Sequence, residues 1–475
     1  MKHGIAGSSD VVVIIEKLVA DEPLSQLYYY WFESPSLDLN LFTPEDYVLS
    51  LTRYENVSRA QILSQTFYGA RHALETLSQL IAYDELHDSL QILESAMIID
   101  GPVFPFRGVM LDTSRNYYNI DTLKRFVDGL SRNKLNVFHW HLTDSQSFPI
   151  CLDSRPKFCQ YGAYAPWKVY RAAEVKEIVE YSRVRGVRVI PEIDVLEDVY
   201  GDLLQMFDTD IIHMGGDEVV LQCWNESEEV KSWMSENNYT GFTENDFLRL
   251  WGEKFQSSAA TAMKNANSGA NKTMLLWASH LTGPGALTQY LNPDDYIIHV
   301  WEDMTVEKNK EHLKHMLENG FKIIVSNVEA SYLDCGYGHW LGPPEKLNWC
   351  APYKSWQAFY ENDFLKISLE LTADEIDPEV VKDLVLGGES IIWTETVHDH
   401  SLDGKVWPRS AAAAERYWSN PEGTWMDVEW RLTHQTERLA QFGIRTDAIR
   451  PEWCHQNSAL CYLKNSTLPE RQIST

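Results

Sequence analysis

Cysteine is scarce in this chain, with seven among 475 residues. That is too few for a disulfide scaffold, and no zinc-type spacing connects them. The odd count leaves at least one thiol without an internal partner. Cys454 and Cys461 bracket a short C-terminal loop and are placed to pair, as are Cys335 and Cys350. Positive charge is short as well: 41 Lys and Arg stand against 69 Asp and Glu, a formal net charge of −28. That balance repels phosphate backbones, so nucleic acid is excluded as a natural partner and strongly anionic substrates are disfavoured. No apolar run approaches the roughly 20 residues of a membrane-spanning helix. At the N-terminus "VVVII" is too short for the core of a signal peptide, and Glu16 and Lys17 follow it directly. An export signal, if one is used, is expected outside this chain. There is no low-complexity linker and no short repeat. What remains is ordinary globular composition, 44% hydrophobic and 23% charged, and enough length for two or three domains.

Aromatic residues are plentiful, with 17 Trp and 23 Tyr. Most are expected in the core, but some suit a second use as flat platforms for sugar rings. Residues 1–102 mix strand-like pieces with one helix pattern from Phe67 to Tyr83. After Gly101-Pro102 short apolar strands alternate with amphipathic helices. The strands are Phe106–Arg115, Asn136–Asp144, Val187–Asp194, Ile211–Glu218, Thr273–His280, Tyr296–Asp303, Lys322–Val328 and Val385–Glu395. Continuous apolar runs of this kind suit buried parallel strands. The expected fold is therefore a (β/α)8 barrel over residues 103–475, with a C-terminal extension, preceded by a small α/β domain over residues 1–102.

Functional groups in such a barrel gather at the C-terminal strand ends. Arg115, Asp144, Asp194, Asp217, Glu218, Trp277, Trp301, Trp393 and Glu395 all fall there. Apolar strand interiors are needed to close a barrel, but indoles at three strand ends are not. Indoles stack on the C–H faces of sugars, while carboxylates and a guanidinium hydrogen-bond hydroxyls. An uncharged polyhydroxylated ligand is the natural guest. In "IIHMGGDEVV" two acids stand side by side after a glycine pair. Neighbours cannot easily straddle an anomeric centre, as a two-carboxylate glycosidase requires. They can serve adjacent points on one side when the substrate's own 2-acetamido carbonyl is the nucleophile.

"RGVMLDTSRNYY", "NVFHWHLTDSQSFP", "VRVIPEID", "HMGGDEV" and "GGESIIWTE" occur in this order. Together they resemble the glycoside hydrolase family 20 β-N-acetylhexosaminidases, and the wording is nearest to the insect and animal branch. The likeness runs from about Gln61 to the C-terminus. It implies that Asp217 orients the acetamido group and that Glu218 is the general acid/base. Arg115 would grip the C3 and C4 hydroxyls, with Asp144 supporting. Trp277, Trp301 and Trp393 would wall the acetamido pocket, and Tyr332 would hydrogen-bond its carbonyl. Asp334 and Glu395 would bind the C4 and C6 hydroxyls, and Trp356 would meet a second sugar. An acid at position 334 would also repel 6-sulfated sugars. The resemblance implies neither metal nor cofactor. The implied partners are glycans ending in N-acetylglucosamine or N-acetylgalactosamine, in a homodimer. It also implies a lysosomal or secreted setting, consistent with five Asn-x-Ser/Thr sequons beginning at Asn56, Asn225, Asn238, Asn271 and Asn465.

One stretch departs from the family. After "PEID" relatives continue with Pro-His and a long loop, whereas Asp194 here runs straight into an amphipathic helix pattern, Val195–Phe207. The loop histidine that links Asp144 towards the catalytic acid has no counterpart. His139 and His141 lie in the preceding strand and are no assured substitute. Cys223 corresponds to a family cysteine whose partner lies in that loop, which makes it the expected orphan thiol. Two rival readings follow: a sugar-binding protein on an impaired enzyme scaffold, and a metal-dependent hydrolase built on His139 and His141 with help from His213 or His299.

Overall fold

The computed structural model describes residues 12–19, 24–31, 37–54, 57–193, 200–207, 209–239, 241–266, 272–337, 340, 350–457 and 461. The N-terminal sheet is made of β1 (Val12–Val19), β2 (Leu24–Trp31), β3 (Tyr47–Tyr54), β4 (Val57–Ser64), β5 (Ala82–Asp84) and β6 (Ser89–Asp100). Its order is β1-β6-β3-β4-β2, with β5 also on β6, and only β2 with β4 is parallel. Helix Phe67–Gln79 packs on β3 and β4; Thr66 starts it, its hydroxyl accepting the Gly69 amide. The helix was expected to reach Tyr83 but stops at Gln79, because Tyr83 is taken into β5 opposite Leu90.

The next eight strands close into a parallel barrel in chain order. They are β7 (Phe106–Asp112), β8 (Val137–His141), β9 (Arg188–Glu192), β10 (Ile211–His213), β11 (Thr273–Trp277), β12 (Tyr296–Val300), β13 (Lys322–Val325) and β14 (Val385–Ile392), and β14 pairs back on β7. All eight strands expected from the sequence are present. Each is shorter than its sequence run, since the polar residues at the end of the run belong to the following loop. Asp194 and the first residues of the helix expected from Val195 lie outside the described residues; the helix is described over Tyr200–Met206.

Inside the barrel the side chains are layered. At the N-terminal end Phe106, Val137, Ile190, Ile211, Leu275, Ile297, Ile324 and Leu386, one from each strand, form an apolar plug capped by Leu41. Two residues further along, or three on β14, the lining turns ionic: His139, Glu192, His213, Glu389 and His299 are all at most 1% exposed. Above them an aromatic cluster containing Trp277, Tyr332 and Cys335, with Trp301 and Trp393 packed against it, forms the mouth. The barrel is fastened to the N-terminal sheet by a buried carboxylate. Glu45 takes Arg107 at 2.7 Å and His72 at 2.9 Å, and it accepts Asn136 Nδ2 at 3.0 Å. Against the cost of burial, the Arg107 charge holds its carboxyl far below the usual range.

Among the cysteines, Cys454–Cys461 is bonded as expected, and Cys223 is an exposed free thiol. The chain also bonds Cys151 to Cys159, a pairing the sequence reading missed. Cys335 and Cys350 are both buried and unbonded, contrary to the pairing expected for them.

Candidate active site

Asp217 and Glu218 follow β10 through a turn that needs glycine, since Gly215 and Gly216 have φ of +63° and +91°. The turn points the two acids differently. Asp217 is half-buried and lies within the field of Glu192, His141 and Tyr332, while Glu218 is exposed. Burial, aided by the Glu192 carboxylate, pushes Asp217 up to about 6. Both acids line one cavity with Asn225, Phe242, Phe247 and His280. Among the described residues Glu218 makes no side-chain hydrogen bond or ion pair.

On the opposite side of the rim stands Arg115, three residues past the end of β7. Its guanidinium lies 2.7 Å from Asp144, 3.5 Å from Asp112 and 3.9 Å from Glu395, and 4.9 Å above the Trp393 ring. Asp144 also meets His141 Nε2 at 3.3 Å. Burial alone would raise the Asp144 carboxyl, but the His141 hydrogen bond and the Arg115 charge hold it at about 2. The Arg115 Nε–H is buried, faces Glu395 at 3.9 Å, and has no hydrogen-bond partner among the described residues.

Tyr332 and Asp334 follow β13, where Tyr332 bridges to Ile391 of β14 and Asp334 Oδ1 accepts the Trp393 amide at 3.3 Å. Burial, with Glu395 nearby, pushes Asp334 up to about 7, and burial also raises Glu395. The three tryptophans are not equivalent. Trp277 is fully buried, stacks on His299 at 4.1 Å, and donates its indole N–H to Glu192 at 2.6 Å. Trp301 donates to the Ala278 carbonyl at 2.9 Å and, like Trp393, stays partly open. The structure thus brings Arg115, Asp144, Trp393 and Glu395 into one contact group and Trp277, Trp301, Trp393 and Tyr332 into one cluster. Trp356 departs from expectation: it is buried edge-on against Trp425 and is not part of the aromatic cluster at the mouth.

The histidines suggested as metal ligands do converge, with two acids the sequence reading passed over. His139 Nδ1 lies 2.7 Å from Glu389 and Nε2 lies 2.9 Å from Glu192. These carboxylates overcome burial and raise His139 to about 9. With His213 and His299 beside it, this makes a buried group of histidines and carboxylates inside the barrel. Glu192 and Glu389 carry one legible signal: each is an acid in a fully buried strand. The space for Glu389 is made by Gly108, where an added Cβ would lie 2.4 Å from its Oε2.

The chain matches the sequence model described as "Glycosyl hydrolase family 20, catalytic domain" over residues 104–196 and 194–421. The two segments meet at the shortened connection after β9. Residues 17–80 match "beta-acetyl hexosaminidase like", so the likeness extends upstream of Gln61. A chitooligosaccharidolytic beta-N-acetylglucosaminidase of Ostrinia furnacalis is 40% identical over 448 residues, covering 85% of this chain and 72% of that protein. A protein of the same name from Bombyx mori is 39% identical over 478 residues, covering 90% and 77%. The crystal structure of a Flavobacterium johnsoniae chitobiase superposes with a TM-score of 0.68 at 26% identity, over 86% of this chain and 61% of that one. On this evidence the chain belongs to glycosyl hydrolase family 20.

Proposed function

We propose that the chain is an exo-acting, retaining β-N-acetylhexosaminidase that removes terminal N-acetylglucosamine or N-acetylgalactosamine from oligosaccharides, chitin fragments or glycoconjugates. The observation that carries this reading is the Gly215–Gly216 turn, which sends Asp217 inward and Glu218 to the open cavity. In this reading the acetamido oxygen of the substrate attacks the anomeric carbon. The glycosidic C–O bond breaks as Glu218 gives its proton to the leaving oxygen. Asp217, ionised, accepts the acetamido N–H and stabilises the oxazolinium, and Tyr332 binds the attacking carbonyl. Water activated by Glu218 then opens the ring on the same face, so configuration is retained. Arg115, supported by Asp144, grips the C3 and C4 hydroxyls; Asp334 and Glu395 hold C4 and C6; Trp277, Trp301 and Trp393 enclose the acetamido methyl. The reading needs no cofactor.

A paired assay tests it: hydrolysis of an aryl N-acetyl-β-glucosaminide beside the matching aryl β-glucoside. Without the acetamido group the intramolecular nucleophile is gone, so the glucoside should not turn over. Equal rates on both would contradict the mechanism.

A second reading, an impaired member that binds sugar without turnover, is favoured by one observation: Glu218 has no hydrogen-bond or ion-pair partner among the described residues. We read the chain as a small domain over residues 1–102 and a catalytic barrel over residues 103–475, acting as a homodimer in a lysosome or outside the cell. Asn238 opens a sequon and is exposed, as glycosylation on that route requires. Among the described residues no helix is long and apolar enough to cross a membrane.

A further inference from the structure

The pieces of the site hang from different strands. Arg115 and Asp144 follow β7 and β8, Trp277 ends β11, and Asp217 follows β10. One buried carboxylate, Glu192, ties Trp277 to the Asp144–Arg115 pair. Glu192 Oε1 accepts the Trp277 indole N–H at 2.6 Å. Glu192 Oε2 lies 2.7 Å from His141 Nδ1, and the other nitrogen of that ring reaches Asp144 at 3.3 Å. His213 Nδ1 accepts the Gly215 amide at 3.0 Å and so fixes the turn before Asp217, which leaves that nitrogen no proton to give to Glu192 Oε1, 3.2 Å away. His213 opposite Glu192 is also the single residue pair joining β9 to β10.

Closing the barrel does not require this arrangement. Two residues earlier on β9, Ile190 fills the interior with an apolar side chain, as its counterparts do on all the other strands. A buried ion network gains little over well-packed apolar groups, because desolvation offsets its Coulomb energy. What it adds is direction: Glu192 accepts the Trp277 indole with one oxygen and holds the His141 ring with the other. We propose that Glu192 is a positioning residue, which fixes Trp277 and the Asp144–Arg115 pair relative to one another without touching the sugar. This rests on the hexosaminidase reading above.

The test is Glu192→Gln in the full chain, which keeps the volume and a hydrogen-bonding head but removes the carboxylate. A misplacement of the reacting groups by around 1 Å costs on the order of 10²-fold in rate, and that is the expected fall in kcat. Affinity for a thiazoline analogue of the oxazolinium should fall in parallel, and by more than affinity for N-acetylglucosamine itself. Equal weakening of both ligands would mean a merely structural role and would overturn the proposal. So would a folded variant with kcat within about threefold of the parent. Should the Gln variant fail to fold, Trp277→Phe keeps a ring in the wall but loses the N–H that Glu192 accepts. The same split between the two ligands is expected, and a variant indistinguishable from the parent overturns the idea. Binding can be measured without turnover, so a slow parent still tests Glu192. A parent that binds neither ligand overturns the hexosaminidase reading, and this inference with it.

Discussion

Asp144 directs its carboxylate to Arg115, at 2.7 Å, and to His141, at 3.3 Å, both on its own side of the barrel mouth. In the family pattern an added loop histidine connects this acid towards the general acid. Here the connection after β9 is short, and Glu218 is left exposed without a partner among the described residues. Grafting the corresponding loop of the Ostrinia furnacalis relative between Asp194 and Val195 should therefore raise kcat, on the order of 10-fold to 100-fold, as restored support of a reacting group typically does. An unchanged kcat in a folded graft would show that Glu218 is already well oriented.

The hydroxyl grip can be tested at Arg115. Its fork is fixed by Asp112, Asp144 and Glu395, and Lys would place a single ammonium where a planar fork stood. Arg115→Lys should lower kcat/KM by about 10²-fold, because charge-assisted bonds to two hydroxyls are lost. Steady-state kinetics with a fluorogenic N-acetyl-β-glucosaminide checks this.

Activity should fall on the acid side near the raised value of Asp217. That group is ionised only above about 6, and the proposed mechanism uses the ionised form to stabilise the oxazolinium. The profile of kcat/KM against pH should lose activity as pH drops through about 6, and Asp217→Asn should abolish most turnover while removing that limb. A limb unchanged in the Asn variant would mean that another group sets it.

Asp334 gives a pH-dependent specificity. Buried and raised to about 7, it is neutral below that pH and negative above it. Discrimination against a 6-sulfated N-acetyl-β-glucosaminide, read as a ratio of kcat/KM values, should grow as pH rises through about 7. In Asp334→Asn the ratio should be flat with pH.

Stability should also depend on pH through the ion network. His139 is raised from 6.5 to about 9, so its contribution is complete below 6.5 and is lost as pH rises through about 9. His213 is lowered by burial from 6.5 to about 4, so its contribution is lost as pH falls through that window, where only the unfolded chain takes up the proton. The melting temperature should be highest near neutral pH and a few degrees lower on each side. His139→Asn should flatten the alkaline side.

The barrel was legible because its strands are apolar on both faces, and the rim because its tryptophans and acids stand where strands end. The inner layer was harder to read. Glu192 and Glu389 look like misplaced charges in "VRVIPEID" and "VLGGESIIWTE" until their histidine partners, distant in sequence, are brought alongside by the barrel closure. The Cys151–Cys159 bond was missed for a similar reason, since it ties down a loop whose path no periodicity reveals. Trp356 misled because its packing against Trp425, 69 positions on, is decided only in the folded chain.

The most direct measurement is hydrolysis of a fluorogenic N-acetyl-β-glucosaminide by the purified chain beside Glu218→Gln. We expect turnover in the parent and a loss on the order of 10²-fold to 10⁴-fold in the variant, the range that general acid–base catalysis supplies. Equal turnover in both proteins, or none in a well-folded parent, would contradict Glu218 as the working acid of an active hexosaminidase.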